Sequence, residues 1–199
     1  MIRVQEILDL HASTTALWHR QEVCNIYRDL LQVVCEQHKF NFLLWHEEDI
    51  ARSPDVSDTR IAEVKRAIDR YNQQRNDWIE RIDMYLLEML SREGITPWVD
   101  ARQNTETPGS AMDRLSIMCL RIYHLQEQLE RADATAEHIE KVTTRLGICE
   151  TQRSDLANGL AELLADIGCG RKRLKVYRQL KMYNDPTMNP YLYGAKKVA

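Results

Sequence analysis

From Asn25 to Arg52 the chain contains neither glycine nor proline, and Tyr27, Leu31, Val34, Cys35, Phe42 and Trp45 fall on one side when successive residues are turned by about 100°. A stretch of that length and period has one economical solution, an amphipathic α-helix, ended by Ser53-Pro54 because the residue before proline avoids helical geometry. Ser57 or Asp58 then offers an N-cap, and Ile61, Val64, Ile68, Tyr71, Trp78, Ile82, Leu86 and Met89 return every three or four positions until Gly94. Only 7 glycines and 5 prolines occur among 199 residues, too few for the many tight turns of a β-rich fold.

The remaining segments follow the same grammar. Val4 to Trp18 reads as a short, weakly amphipathic helix with a break or bend near Ser13 to Thr15. Ile95 to Pro108 has no period and is long enough to be a functional loop. Thr107-Pro108 supplies an N-cap and a first-turn proline for a helix from about Gly109 to Arg131 that is apolar on most sides and therefore central. Asp133 is the expected cap of the next helix, where Val142, Leu146, Cys149, Leu156, Leu160 and Leu163 keep near-heptad spacing up to Gly168 and Gly170. A short basic helix from about Arg171 to Met182 and an irregular tail, NDPTMNPYLYG, close the chain. The expectation is one all-α domain over residues 1–199: a bundle of four long helices, with a short N-terminal helix, a short basic C-terminal helix and an irregular tail.

Charge and cysteine content exclude several functions. With 27 basic and 30 acidic residues the net charge is -3, which offers nothing to attract nucleic acid or an anionic membrane surface. No run of about 18 apolar residues would span a bilayer, and MIRVQEILDLHAS does not read as a secretion signal. Five separated cysteines without a CxxC pair read as reduced core residues of a cytoplasmic protein. Neither oligomeric state nor a cofactor is specified by the sequence. The phosphate loop, nucleophile elbow, HExxH and paired ExxH motifs are all missing.

What stands out is charge on faces that should be apolar. In the Asn25 to Arg52 helix, His38, Asp49 and Arg52 project into the stripe of Leu31, Phe42 and Trp45, with His46 and Glu48 at its edges. In the following helix Arg75 lies mid-stripe, Asn72 and Asp83 lie within it, and Asn76 and Glu80 flank it. Arg153 holds a heptad core position, while Asp113 and His124 share an inward face of the central helix with Arg114 beside them. Desolvating an unpaired charge costs on the order of several kcal/mol, so these charges must be paired or must line a polar cavity. In the cavity reading the chain is an enzyme or binder acting on an anionic small molecule, a phosphorylated compound or a nucleotide sugar. Arg52, Arg75, Arg114 and Arg153 grip the anion, with Asn72, Asn76, Glu106, Lys181, Tyr183 and Asn184 as further contacts. Asp49, Asp83 and Asp113 orient the arginines, and His46 or Glu48 is the acid or base of any chemistry. Removing Asp83 is then expected to strand the charge of Arg75. The competing reading is a non-catalytic interaction module whose salt bridges fix helix register. A third takes Glu48, Asp49, Glu80 and Asp83 as oxygen ligands for Mg²⁺, as in all-α nucleotide pyrophosphohydrolases, although the chain lacks their ExxE pair.

Four separated segments, LLWHEEDIAR (43–52), IDRYNQQRNDWIERID (68–83), NTETPGSAMDRLSI (104–117) and YRQLKMYNDPTMNPYLY (177–193), together resemble the bacterial family known as domain of unknown function 4254, over about residues 25–193. The family motifs fall on His46, Glu48, Asp49, Arg52, Asn72, Arg75, Asp77, Glu80, Asp83, Glu106, Asp113, Arg114, Ser116, His124, Lys181, Tyr183, Asn184, Asp185 and Tyr193, so the positions that carry the resemblance largely coincide with those chosen by projection. It implies no particular activity. The tail from Lys181 to Tyr193, with its Asn184-Asp185-Pro186 turn, is expected to fold over the cavity mouth as a lid.

Overall fold

The computed structural model describes residues 2–180 and 187–189. Five α-helices carry the fold: α1 (Val4–Trp18), α2 (Asp29–Arg52), α3 (Asp58–Arg92), α4 (Pro108–Leu129) and α5 (Ala136–Gly168). Two short strands, β1 (Arg102–Gln103) and β2 (Lys172–Arg173), pair in parallel beside them. The bundle of four long helices is thus present, with α2 packed along α3 and α4 along α5. Its apolar α4 also touches α1, α2 and α3, as expected of a central helix. The core is one cluster in which Ile7 and Leu10 of α1, Val34 and Phe42 of α2, Ile82 and Leu86 of α3, Met112 and Leu115 of α4, and Leu160 and Leu164 of α5 interdigitate. No helix among the described residues is long and apolar enough to cross a membrane.

Caps explain most boundaries. Ser57 Oγ accepts the Arg60 amide at 3.3 Å, and Thr107 Oγ1 accepts the Ser110 amide at 3.1 Å with Pro108 in the first turn. α5 begins later than expected: Asp133 is held by Arg131 at 2.6 Å, so Thr135 caps instead, accepting the His138 amide at 3.2 Å. α2 starts at Asp29 rather than Asn25, because Asn25 Nδ2 donates to Gln32 O and Glu36 Oε1 and holds the preceding segment outside the helix. The break expected at Ser13 to Thr15 does not occur. Ser13 and Thr14 return their hydroxyls to Leu10 O and Thr15 points to His38, so these residues find partners without leaving helical geometry.

The short basic helix after α5 is also corrected. Gly170, at φ +77°, ends α5 where any side chain would collide with Thr96 O, 2.7 Å from the Cβ position, and its carbonyl accepts the Trp98 amide. Arg171 turns back onto Asp166 at 2.8 Å, Lys172 and Arg173 become β2, and residues 174–180 continue without helix. All five cysteines are free, but only Cys35, Cys119 and Cys149 are buried; Cys24 and Cys169 are exposed.

Candidate functional site

Asp113, on the central helix and 4% exposed, is the hub of the polar interior. Arg75 Nε and Nη2 donate to its two oxygens at 2.8 and 2.6 Å, a bidentate pair across α3 and α4. Gln37 Nε2 and Asn41 Nδ2 of α2 donate to the same carboxylate at 2.6 and 2.9 Å. The chain of contacts continues through Ser116 Oγ, which lies 2.7 Å from His38 Nδ1, to Thr15 Oγ1, 3.0 Å from His38 Nε2. Burial, followed by neighbouring His11, pushes the His38 pKa well below its usual value, so the ring is neutral and its hydroxyl partners adapt to either tautomer. The pKa of His11, whose ring is tilted against that of His38 with centroids 4.6 Å apart, is pushed down to about 3 by burial alone.

In front of this hub lies a cleft of about 360 Å³ lined by Asn41, Leu44, Trp45, Glu48, Asp49, Arg52, Asn72, Arg75, Ile117 and Leu120. Five residues expected to act together, Glu48, Asp49, Arg52, Asn72 and Arg75, therefore do meet in one place. Their pairing differs from the expectation: Glu48, not Asp49, holds Arg52, at 2.8 Å, and Asp113 alone neutralises Arg75. Asp49 and Arg52 are exposed rather than buried in a stripe, because the last turn of α2 borders the open cleft.

Other expected members lie elsewhere. Asp83 is buried but never meets Arg75: its Oδ1 accepts the Gly109 amide at 2.7 Å, at the N-terminus of α4, where a charged acceptor complements the helix dipole. Burial raises its pKa to about 6, partly offset by Thr107 and Gly109. Gly109 permits this contact, since a Cβ there would sit 2.6 Å from Ile79 O. Glu80 accepts the Gln179 amide at 2.7 Å, so the acidic quartet drawn from α2 and α3 is split. Glu106 and Arg114 pair with each other at 2.7 Å. Arg114 lines a separate groove with Arg121, Gln152 and Asp155, and Arg153, half-buried on α5, lies outside the cleft, as does Asn76. Lys181, Tyr183, Asn184 and the lid expected of the tail fall outside the described residues.

Behind Trp45 sits a second constellation. His19, the C-cap of α1, His46 of α2 and His124 of α4 bring one ring nitrogen each within 4.8 Å of one another, the one such metal-competent group among the described residues. Trp45 stacks on His124 with ring centroids 4.9 Å apart, so the cleft and the trio share a wall. Burial, then the charges of His19 and His124, depress the His46 pKa. Projection captured His46 and His124 but missed His19, which follows the last turn of a weak helix where periodicity carries no information. Gln37 and Asn41 were missed as well. Their i, i+4 spacing around His38 was the available signal.

No curated protein and no solved structure matches this chain. The family model described as protein of unknown function (DUF4254) matches residues 31–176, a span that holds α2 from its third residue, α3 to α5, Asp113 and every cleft residue, and the chain belongs to that family.

Proposed function

We propose that the cleft binds a small polar molecule carrying one anionic group, of about the size of a sugar phosphate. The observation that carries this reading is the fixed Arg75. Asp113 occupies Nε and Nη2 and locks the guanidinium plane, while the side chain keeps 28% exposure and lines the cleft, so the donors left over are offered to a ligand at a reduced entropic cost. Arg52 supplies a second cation. Asn41, Asn72, Glu48 and Asp49 suit hydroxyl groups, and Trp45 with Leu44 and Leu120 offers apolar surface to a ring. Size and charge narrow the class. The volume lies near the lower end of the range of about 300–1,000 Å³ usual for ligand sites, small for a nucleotide sugar. Two arginines face Glu48 and Asp49, with Asp113 behind, so the cleft carries no positive excess for a polyphosphate. Glu48 and Asp49 are the carboxylates placed to exchange a proton with a bound ligand. The free thiols of exposed Cys24 and Cys169 suit the reducing cytoplasm.

Thermal shift against sugar phosphates, simple carboxylates, nucleotides and nucleotide sugars tests the proposal. A ligand at a hundredfold excess over its dissociation constant adds about 2.7 kcal/mol. Sugar phosphates are expected to raise the melting temperature of the wild type and not that of Arg75→Lys, which keeps the charge but loses the fixed fork. No shift with any anionic compound, or an equal shift in Arg75→Lys, refutes the reading and leaves the Arg75–Asp113 pair as a register-fixing element.

A further inference from the structure

We propose that His19, His46 and His124 form a transition-metal site of the zinc type, with three imidazole ligands and the remaining coordination left to water or an exogenous ligand. The inference is independent of what the cleft binds.

The hydrogen bonds fix two tautomers. His19 Nδ1 lies 2.7 Å from Thr15 O, and a carbonyl only accepts, so Nδ1 carries the proton. His124 Nδ1 lies 2.7 Å from Glu127 Oε2, again an acceptor, so it too is protonated. In the neutral rings both Nε2 atoms are therefore bare lone pairs. Both are buried, and neither has a hydrogen-bond partner. One ring nitrogen of each of the three histidines lies within 4.8 Å of the others. With His46 in the tautomer that turns its own lone pair into this space, three lone pairs face one another with no proton between them, which is electrostatically unfavourable and is what a cation resolves. A carbonyl or carboxylate behind the distal nitrogen is also the arrangement that orients metal-bound histidines and raises their basicity.

The rings are held in place by aromatic neighbours. Tyr123 stacks on His19 at 4.3 Å, Trp45 stacks on His124 at 4.9 Å, and Phe42 meets His46 edge-on at 4.5 Å. Tetrahedral Zn²⁺ at about 2.0–2.1 Å from nitrogen sets its ligand atoms about 3.3–3.4 Å apart, a contraction that small side-chain rotations supply. Three neutral imidazoles without thiolate or carboxylate select Zn²⁺, Cu²⁺, Ni²⁺ or Co²⁺ over Mg²⁺ and Ca²⁺. The alternative is a histidine–aromatic stack that serves packing only, and it predicts no stoichiometric metal.

The test uses the full chain without a histidine tag, stripped with chelator and titrated calorimetrically with Zn²⁺ and Co²⁺. One equivalent is expected to bind, with the intense visible absorption of low-coordinate Co²⁺. Binding is expected to fall at least a hundredfold in His19→Ala, His46→Ala and His124→Ala that retain their helical circular dichroism, and about 10–100-fold in Glu127→Gln. His138→Ala, whose imidazole lies outside the trio, is expected to bind as the wild type. Should the histidine variants unfold, X-ray absorption of the Zn²⁺-loaded wild type decides: three imidazoles at about 2.0–2.1 Å support the site. Absence of stoichiometric binding by the folded wild type, one imidazole or none in the absorption spectrum, or binding untouched in folded His46→Ala overturns it.

Discussion

The Asp113 hub and the histidine trio are both polar groups set between α2 and α4, yet they solve the problem of burial in opposite ways. Around Asp113 an anion meets one guanidinium and two amides, with donors at 2.6 to 2.9 Å. In the trio three rings turn ligand nitrogens toward one another, and two of these, His19 Nε2 and His124 Nε2, are buried without a partner. Since an unmade buried hydrogen bond costs about 1–3 kcal/mol, the first arrangement explains itself as stability and the second does not. The charge of Asp113 is matched within the framework; the unmatched lone pairs of the trio are what the proposed metal would satisfy.

The largest test of that contrast removes the hub. Asp113→Ala strands Arg75 together with the amides of Gln37 and Asn41, and about 3–5 kcal/mol of stability is expected to go, the lower figure if water reaches the partly exposed arginine. For a domain of this size that is a fall of roughly 10 °C in Tm, read by thermal melts. A fall of one or two degrees would show that the carboxylate is not the hub.

Acid sharpens the comparison next. His11 titrates near 3 in the folded protein and near 6.5 unfolded, so the unfolded chain takes up protons first and stability is lost as pH falls below about 6.5. At pH 5 this costs about 2 kcal/mol for His11, and His38 adds in the same direction. Asp83 has the opposite sign: its folded pKa is raised to about 6, so its contribution is fully present below about 3.8 and lost as pH rises through 6. Urea denaturation of the wild type and His11→Phe at pH 5 and 7.5 is expected to show a smaller pH difference in the variant.

Asp83→Ala comes third. Had Asp83 paired with Arg75, its removal would resemble that of Asp113. Because it caps Gly109, the expected loss is about 0.5–2 kcal/mol, and a loss as large as that of Asp113→Ala would restore the original pairing. The smallest effect on stability belongs to Arg52→Ala, since its pair with Glu48 is exposed and spans one turn. The variant is expected to lose under about 0.5 kcal/mol while losing the ligand-induced shift, a split visible in melts with and without sugar phosphate.

Much of this molecule was legible before any coordinate. Apolar period, Ser57, Thr107-Pro108 and the scarcity of glycine placed the four long helices. Inward projection correctly buried His38, Asp83 and Asp113. The failures share a cause. Asn25 and Asp133 looked like part of a helix and its cap, but each was claimed by a partner within reach, Gln32 and Glu36 for one and Arg131 for the other. The basic run after Gly170 has helical composition, yet Asp166 and the strand Arg102–Gln103 draw it into extended form.

By itself the sequence determined most of the residues that turn inward on each helix, Asp49 and Arg52 at the open end of α2 excepted, because period and capping are local properties fixed by the geometry of a single helix. Only the tertiary structure decided which inward residues meet. Whether Arg75 reaches Asp113 or Asp83 depends on the rise and rotation of α4 against α3, and Gly109 sets these by letting α4 begin against Ile79 and Asp83. His19 joins His46 and His124 because α1 ends beside α2 and α4, a coincidence in space between positions that no repeat along the chain connects.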